Sequence, residues 1–308
     1  MRTAIIDMGT NTFHLLVAEW QNRDYNIVHR ERIAVRIGAG GISQDMITDE
    51  GMTRALQAIT NFKKKAEGLN ANDILAFGTS ALRNAKNGVE VISKIKEATS
   101  IKTKIISGDE EAQYIYEGVR MALRLGMEKS LIIDIGGGSV EFIIGNNDQI
   151  FWKQSFEIGA QRLLEKFQNH DPILLSEIEK LNGYFNESLK PLFKAMQIHQ
   201  PKTLVGSSGT FDTLSEIYCI QSGIEQTDSP ETKLSISGFK KIYPLIIAKN
   251  RSQRMQIPGM IEMRVEMIVV ASCLIKFILE QFDFNQIRVS SFSLKEGVLA
   301  SLMQNKTL

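Results

Sequence analysis

The chain has 308 residues, of which 43% are hydrophobic and 23% charged, and its formal net charge is +1. This length exceeds a typical single core and suggests two domains, while the composition is that of an ordered globular protein. The near-neutral balance excludes an overall positive field, so nucleic acid is not an expected partner and any anion site must be built from local clusters. The two cysteines, Cys219 and Cys273, each lie in an apolar helical pattern and read as reduced thiols of a cytoplasmic protein. The opening MRTAIIDMGTN reaches an acid after two isoleucines and so lacks a signal-peptide core. The most apolar run, MIVVASCLIKFIL, is broken by Lys276 and is too short to span a bilayer.

Taken in chain order, residues 3–7 and 12–20 read as a strand hairpin, followed by a strand near 25–35. Met52, Ala55, Leu56, Ile59, Phe62 and Ala66 repeat near helical spacing over 49–67, with Gly68 as the stop. Strand ILAFG, helix 88–99, strand TKIIS and helix 109–125 come next. LIIDIGGGSVEFIIG (131–145) is a second hairpin, with strand IFWKQSFEIG after it. Helices are expected within 159–168 and 174–196, then strand TLVGS and a helix from 210. QTDSPETKLS (226–235) is the most loop-like stretch. Helices near 237–249 and 260–281, strand IRVSS and a last helix from 294 complete an α/β alternation.

The two hairpins are a repeat. AIIDMGTNTFHLLVAE and LIIDIGGGSVEFIIGN align without a gap, with Asp7 and Asp134 standing 127 residues apart. Gly9 matches Gly136, and Thr12 matches Ser139, giving a shared Asp-x-Gly-x-x-Ser/Thr core. Repetition at a fixed offset predicts duplicated architecture, with two lobes that each present a glycine loop to a cleft.

Gly136, Gly137 and Gly138 read either as an ordinary turn or as an anion nest, because missing β-carbons let phosphate oxygens reach backbone amides. Thr10, Asn11, Thr12 and Ser139 could add donors. Asp134 at the loop entrance would repel a lone phosphate, but it suits a Mg²⁺ ion bridging carboxylate and phosphate. Glu141 is either a second acid for that ion, directly or through water, or a strand-edge acid facing solvent. In ISGDEEAQYIYEGV the Ser107/Glu110 spacing is that of a capping box, which leaves Glu111 at the edge of the Ala112, Ile115, Tyr116 and Val119 stripe as a candidate general base. Arg83 follows a strand and a small-residue turn, suited to phosphate or to an exposed surface. LVGSSGT (204–210) is a further glycine loop at a helix start. Arg30, Arg32 and Arg36 share one strand face by even spacing and could trail along an extended anion or protect an exposed edge. His14 could border the cleft but reads rather as a packed strand histidine, and FKKKAEG (62–68) as a solvated helix face rather than a track for an extended anion.

In combination, AIIDMGTNTFHLLVAE, TSALRNAKN, ISGDEEAQYIYEGV, LIIDIGGGSVEFIIG, VGSSGT and SLKEGVL occur in the order seen in the exopolyphosphatase/guanosine pentaphosphate phosphatase family, and the chain resembles it essentially throughout. The resemblance implies the duplicated two-lobe, ribonuclease H-like fold of actin, sugar kinases and Hsp70, with an interdomain cleft. It places an N-terminal lobe at 1–124 and a C-terminal lobe at 125–308, the last helix (about 294–306) packing back on the first lobe. It implies a phosphoric anhydride hydrolase that removes terminal phosphate from inorganic polyphosphate, or alternatively from guanosine pentaphosphate, with Mg²⁺. Glu111 would be the base, Asp134 and Glu141 the metal-site acids, and Thr10, Asn11, Arg83, Gly136 to Ser139, Gly209 and Thr210 the phosphate binders. Arg36 and Lys295 are the candidates for the rest of the substrate.

The chain departs from the family at Lys295, where many relatives carry arginine. It departs again in IPGMIEMRVEM, which matches a Pro-Gly…Arg-Ala-Asp stretch loosely, with Val265 and Glu266 in the last places. A phosphotransferase of the same fold and a non-catalytic alarmone sensor are the remaining readings. A homodimer is left open, and no membrane partner is expected.

Overall fold

The computed structural model describes residues 1–22, 24–225 and 227–304. The first sheet contains β1 (Arg2–Met8), β2 (Thr12–Gln21), β3 (Asp24–Ala34), β4 (Asp73–Gly78) and β5 (Thr103–Ile105), in the order β3-β2-β1-β4-β5. β1 runs antiparallel to β2 and parallel to β4. Around this sheet lie α1 (Asp49–Gly68), α2 (Ser80–Asn84), α3 (Gly88–Thr99) and α4 (Gly108–Ala122).

The second sheet contains β6 (Ser130–Ile135), β7 (Val140–Gly145), β8 (Ile150–Phe156), β9 (Thr203–Ser207), β10 (Glu231–Thr232) and β11 (Gln286–Ser290). Its order, β10-β11-β9-β6-β7-β8, read from the β8 edge repeats the first sheet and adds β10 at the far edge. The strands are continuous apolar runs because both faces are covered: every residue of β6 and β7 is buried. Helices α5 (Ala160–Phe167), α6 (Leu175–Ser188), α7 (Lys190–His199), α8 (Ser208–Gln221), α9 (Ile236–Ile247), α10 (Arg251–Arg254), α11 (Ile268–Gln281) and α12 (Leu294–Met303) complete the chain. The molecule is an α/β protein with the duplicated two-lobe actin-like fold.

Duplication extends to the loops. A β-carbon on Gly9 would come within 2.9 Å of the Thr12 carbonyl oxygen, and one on Gly136 within 3.0 Å of that of Ser139. Both turns are therefore closed by the same tight approach, which glycine alone accommodates.

A third core joins the lobes. Ile5, Leu16, Phe77 and Ile115 pack with Ile132, Ile143 and Val205 of the second sheet and with Leu294, Val298 and Leu299 of α12. α12 crosses α4 where two glycines face each other. A β-carbon on Gly297 would overlap the Tyr114 carbonyl, and one on Gly118 the Ser293 carbonyl.

Several expected boundaries shift. The helical stretch 174–196 consists of α6 and α7, which part at Leu189 because Pro191 at the start of α7 has no N–H to continue the ladder, and α7 runs on to His199. The helix read from 260 begins at Ile268. Pro258-Gly259 breaks the pattern, Gly259 adopting φ +92°, and the buried Arg254 donates from Nε to the Val265 carbonyl at 2.8 Å. Gly68 is the last residue of α1 and not its stop; Asn70 supplies the left-handed turn, at φ +56°. Gln226 of the expected loop, and residues 305 and 306 of the expected last helix, lie outside the described residues.

Candidate active site

The Gly136–Gly138 loop is oriented by its neighbour. The carbonyls of Gly138, Gly136 and Gly137 accept from the amides of Gly159, Ala160 and Gln161 at 3.1, 2.8 and 2.9 Å, at the start of α5. In a trans peptide the C=O and the following N–H point in opposite directions. The N–H groups of Gly137, Gly138 and Ser139 are thereby turned away from α5, toward the other lobe. There a β-carbon on Gly137 would press on Asn11 and Thr10, and one on Gly138 on Thr10 and Ser80. The two glycine loops thus meet, and a narrow cavity of about 120 Å³ runs beside them.

Glu111 is delivered to this cavity by the start of α4. Ser107 Oγ accepts from the Glu110 amide at 3.1 Å, and Glu110 Oε2 accepts from the Ser107 amide at 2.8 Å. This capping box holds Glu110 outward, where it pairs with Lys104 at 3.0 Å, and turns Glu111 inward beside Ala112 and Ile115. Glu111 is 7% exposed, and Arg83 Nη1 donates to its Oε2 at 2.8 Å. Burial outweighs that guanidinium and, with Asp7 and Asp134 adding repulsion, pushes the Glu111 carboxyl up to about 7.

Asp134 accepts at Oδ2 from Ser207 Oγ at 2.9 Å and Ser293 Oγ at 2.5 Å. Asp7 lines the same cavity, and burial raises it to about 7, with Lys295 opposing and Asp134 and Glu296 reinforcing. Glu141, opposite Asp134 in the β6–β7 register, is 1% exposed, accepts from Ser155 Oγ at 2.7 Å and is not on the cavity wall. Of the two readings left open for Glu141, the solvent-facing edge acid is excluded. Burial first, and then Glu111 and Asp134, raise its carboxyl.

Farther along, the wall carries His14, Arg32, Asp212, Arg264 and Lys295. Arg264 lies over Gly209: a β-carbon there would overlap its guanidinium, so Gly209 makes room for a side chain as well as for a ligand. Arg264 Nε has no hydrogen-bond partner among the described residues. Asp212 is pushed up to about 6 by burial, opposed by Lys295, Arg264 and Arg32. The charges that act on Glu111 are Arg83, Asp7 and Asp134, whereas those that act on Asp212 are Lys295, Arg264, Arg32 and Asp134. Asp134 acts on both Glu111 and Asp212, and Lys295 acts on Asp7 as well as on Asp212, so acidic and cationic side chains share one cavity.

Of the residues expected from sequence, Thr10, Asn11, Glu111, Asp134, Gly136 to Ser139, Gly209 and Lys295 line one cavity. Thr210 is buried in the first turn of α8 and is not on the cavity wall. Arg83 stands at the rim, its guanidinium shared by Glu111, the Ile106 carbonyl and Glu157. Arg36 is a correction. β3 ends at Ala34, Arg36 turns away at φ +48°, and its exposed side chain does not reach the cavity. Arg32 does, and Arg30 instead lies over the Phe292 ring and 3.6 Å from Glu296. Of the two readings of His14, the cleft border holds, on strand β2; burial and then Lys295, Arg264 and Arg32 hold it well below the usual histidine range. Sequence reasoning singled out neither Asp212 nor Arg264 for the site; for Arg264 the available signal was the loose Pro-Gly…Arg match of IPGMIEMRVEM.

A pair of like-folded lobes meeting at two glycine loops, with buried carboxylates beside backbone amides, defines a phosphate-handling protein of the actin-like class. The model of the Ppx/GppA phosphatase family matches residues 16–306, and the chain belongs to that family. It superposes on an exopolyphosphatase from Cytophaga hutchinsonii with a TM-score of 0.97 and 41% identity, over 100% of this chain and 99% of that one. The Ppx/GppA family member of Aquifex aeolicus, at 24% identity, shares the fold with a TM-score of 0.81, over 100% of this chain and 99% of the other. The protein is thus a phosphatase by family. Among the described residues no helix is long and apolar enough to cross a membrane.

Proposed function

We propose that this protein is an exopolyphosphatase that uses Mg²⁺ and releases the terminal phosphate of inorganic polyphosphate. The observation that carries the reading is that one cavity holds Glu111 and the glycine loop together with three cationic side chains, Arg32, Arg264 and Lys295. Glu111 and the glycine amides suit attack on a terminal phosphate. The three cations suit the anionic chain behind that phosphate. Among the described residues the wall has no Phe, Tyr or Trp on which a purine could stack, which favours polyphosphate over guanosine pentaphosphate. The likeness to the Cytophaga exopolyphosphatase supports the same choice.

The residues fit a Mg²⁺ ion. Asp7, Glu111, Asp134 and Glu141 crowd together, and mutual repulsion adds to burial in raising Asp7, Glu111 and Glu141, a deficit that a cation would relieve. No group of three ligating side chains stands ready among the described residues, in keeping with an ion that takes one or two carboxylates plus phosphate and water. Asp134 and Asp7 would hold it, with Glu141 behind them. When bound, Mg²⁺ would neutralise charge on the phosphate oxygens. Glu111 takes the proton of the attacking water, and Arg83 keeps that carboxylate in place. The amides of Gly137, Gly138 and Ser139 receive charge that develops on the terminal phosphate.

The test is phosphate release with Mg²⁺ from long polyphosphate, tripolyphosphate, guanosine pentaphosphate and ATP in parallel. Release is expected to be fastest from long polyphosphate. Faster release from guanosine pentaphosphate would reverse the substrate choice, and release from ATP alone would point to a phosphotransferase.

A further inference from the structure

Where β8 ends, the chain leaves the sheet and carries Glu157 to the rim of the cleft, facing the other lobe. Its Oε2 accepts from Ser80 Oγ at 2.7 Å, and its Oε1 accepts from Arg83 Nη2 at 3.2 Å. Arg162 Nη2 stands 3.6 Å from the same carboxylate. Ser80 lines the cavity and abuts Gly138, so Glu157 is held at the edge of the glycine loop. Arginine presents the same fork to a carboxylate as to a phosphate. Of the two acids on Arg83, Glu111 is enclosed, with a side chain 10% exposed, whereas that of Glu157 is 42% exposed. Of the two, only Glu157 has substantial access to solvent.

We propose that Glu157 is a specificity-determining residue: an internal carboxylate that occupies the Ser80–Arg83 pair and must be displaced by the incoming phosphate. This rests on the phosphate-hydrolysing reading above. A short anion has few other contacts to set against the repulsion. A long polyphosphate that also engages Arg32, Arg264 and Lys295 has many. Glu157 therefore weakens short substrates and the released phosphate more than long chains, and helps the cleft to clear product.

Glu157→Gln keeps the shape and one acceptor but removes the charge. Calorimetry of tripolyphosphate with Mg²⁺-loaded protein is expected to show binding tightened by about two- to fivefold, the range of a half-exposed charged contact. KM for tripolyphosphate falls likewise, and KM for long polyphosphate moves by less than about half as much. Glu157→Asp, which restores the charge, returns tripolyphosphate binding toward the wild-type value. Glu165 supplies the control, because it also bridges the lobes, accepting from Ser43 Oγ at 2.7 Å, without touching Arg83. Unchanged or weaker tripolyphosphate binding in Glu157→Gln overturns the proposal, and so does equal tightening in Glu165→Gln, which would mean simple loosening of the lobes. Should wild-type protein release no phosphate from any polyphosphate while Glu157→Gln still binds tripolyphosphate more tightly, the substrate reading falls and the assignment of Glu157 stands.

Discussion

Glu111→Gln separates catalysis from stability. In the folded protein burial raises the Glu111 carboxyl from 4.5 to about 7, the effect of Arg83 included. A carboxylate raised in this way binds its proton more tightly folded than unfolded, so stability is lost as pH rises from the unfolded value through about 7. Above that pH the penalty is complete, on the order of 3 kcal/mol at 1.36 kcal/mol per unit. Glutamine carries no such penalty. At pH 8 the variant should therefore melt roughly 5 °C above wild type, and near pH 4 the two should coincide. Phosphate release by the variant should fall by about 10²–10⁴-fold, the usual worth of a positioned base. Release by wild type with Mg²⁺ should climb as Glu111 ionises, at a pH below the value of about 7 for the metal-free carboxyl, because the cation offsets the repulsion from Asp7 and Asp134. Thermal unfolding of metal-free protein at both pH values, with phosphate release alongside, is the assay. A variant less stable than wild type at pH 8, or one with near-normal turnover, would refute the reasoning.

Asp134→Asn should raise the Mg²⁺ concentration needed for half-maximal phosphate release with little loss of folding, since Ser207 and Ser293 still have an oxygen to bind; activity undiminished in excess chelator would count against the metal. Arg32→Ala should weaken long polyphosphate more than tripolyphosphate, and more so at low salt, where the Debye length exceeds about 10 Å. Arg36→Ala should leave both unchanged, and a larger effect from Arg36 than from Arg32 would contradict the cleft described here. Gly209→Ala should displace the Arg264 guanidinium and raise KM for long polyphosphate several-fold while sparing the fold, as a crystal structure of the variant would verify.

Which of these residues could be read from the sequence depends on how local their cause is. The glycine loop, its partner 127 residues earlier and the Ser107/Glu110 box are fixed by neighbours within a few positions, and each appears in the structure as the sequence implied. The same local logic misled at Arg36. Even spacing places a residue on one strand face only while the strand lasts, and β3 stops two residues short. Arg264 and Asp212 depend on contacts across the second lobe. An irregular segment after Pro258-Gly259, pinned by Arg254, brings the arginine over Gly209, and no periodicity signals that path. Glu157 took its meaning only from Ser80 and Arg83, some 75 residues earlier in the chain.

The core shared by α4 and α12 bears on how the protein comes into being on the ribosome. Domains generally fold from the N-terminal end during synthesis. Here the helix that carries Glu111 packs on Leu294, Val298 and Leu299, and its glycine crossing needs Gly297 opposite Gly118. Until those late residues emerge, the first lobe has an open apolar face and Asp134 lacks Ser293. A nascent chain therefore has no assembled cleft, and the site of this phosphatase is completed only when α12 has emerged and packed against α4.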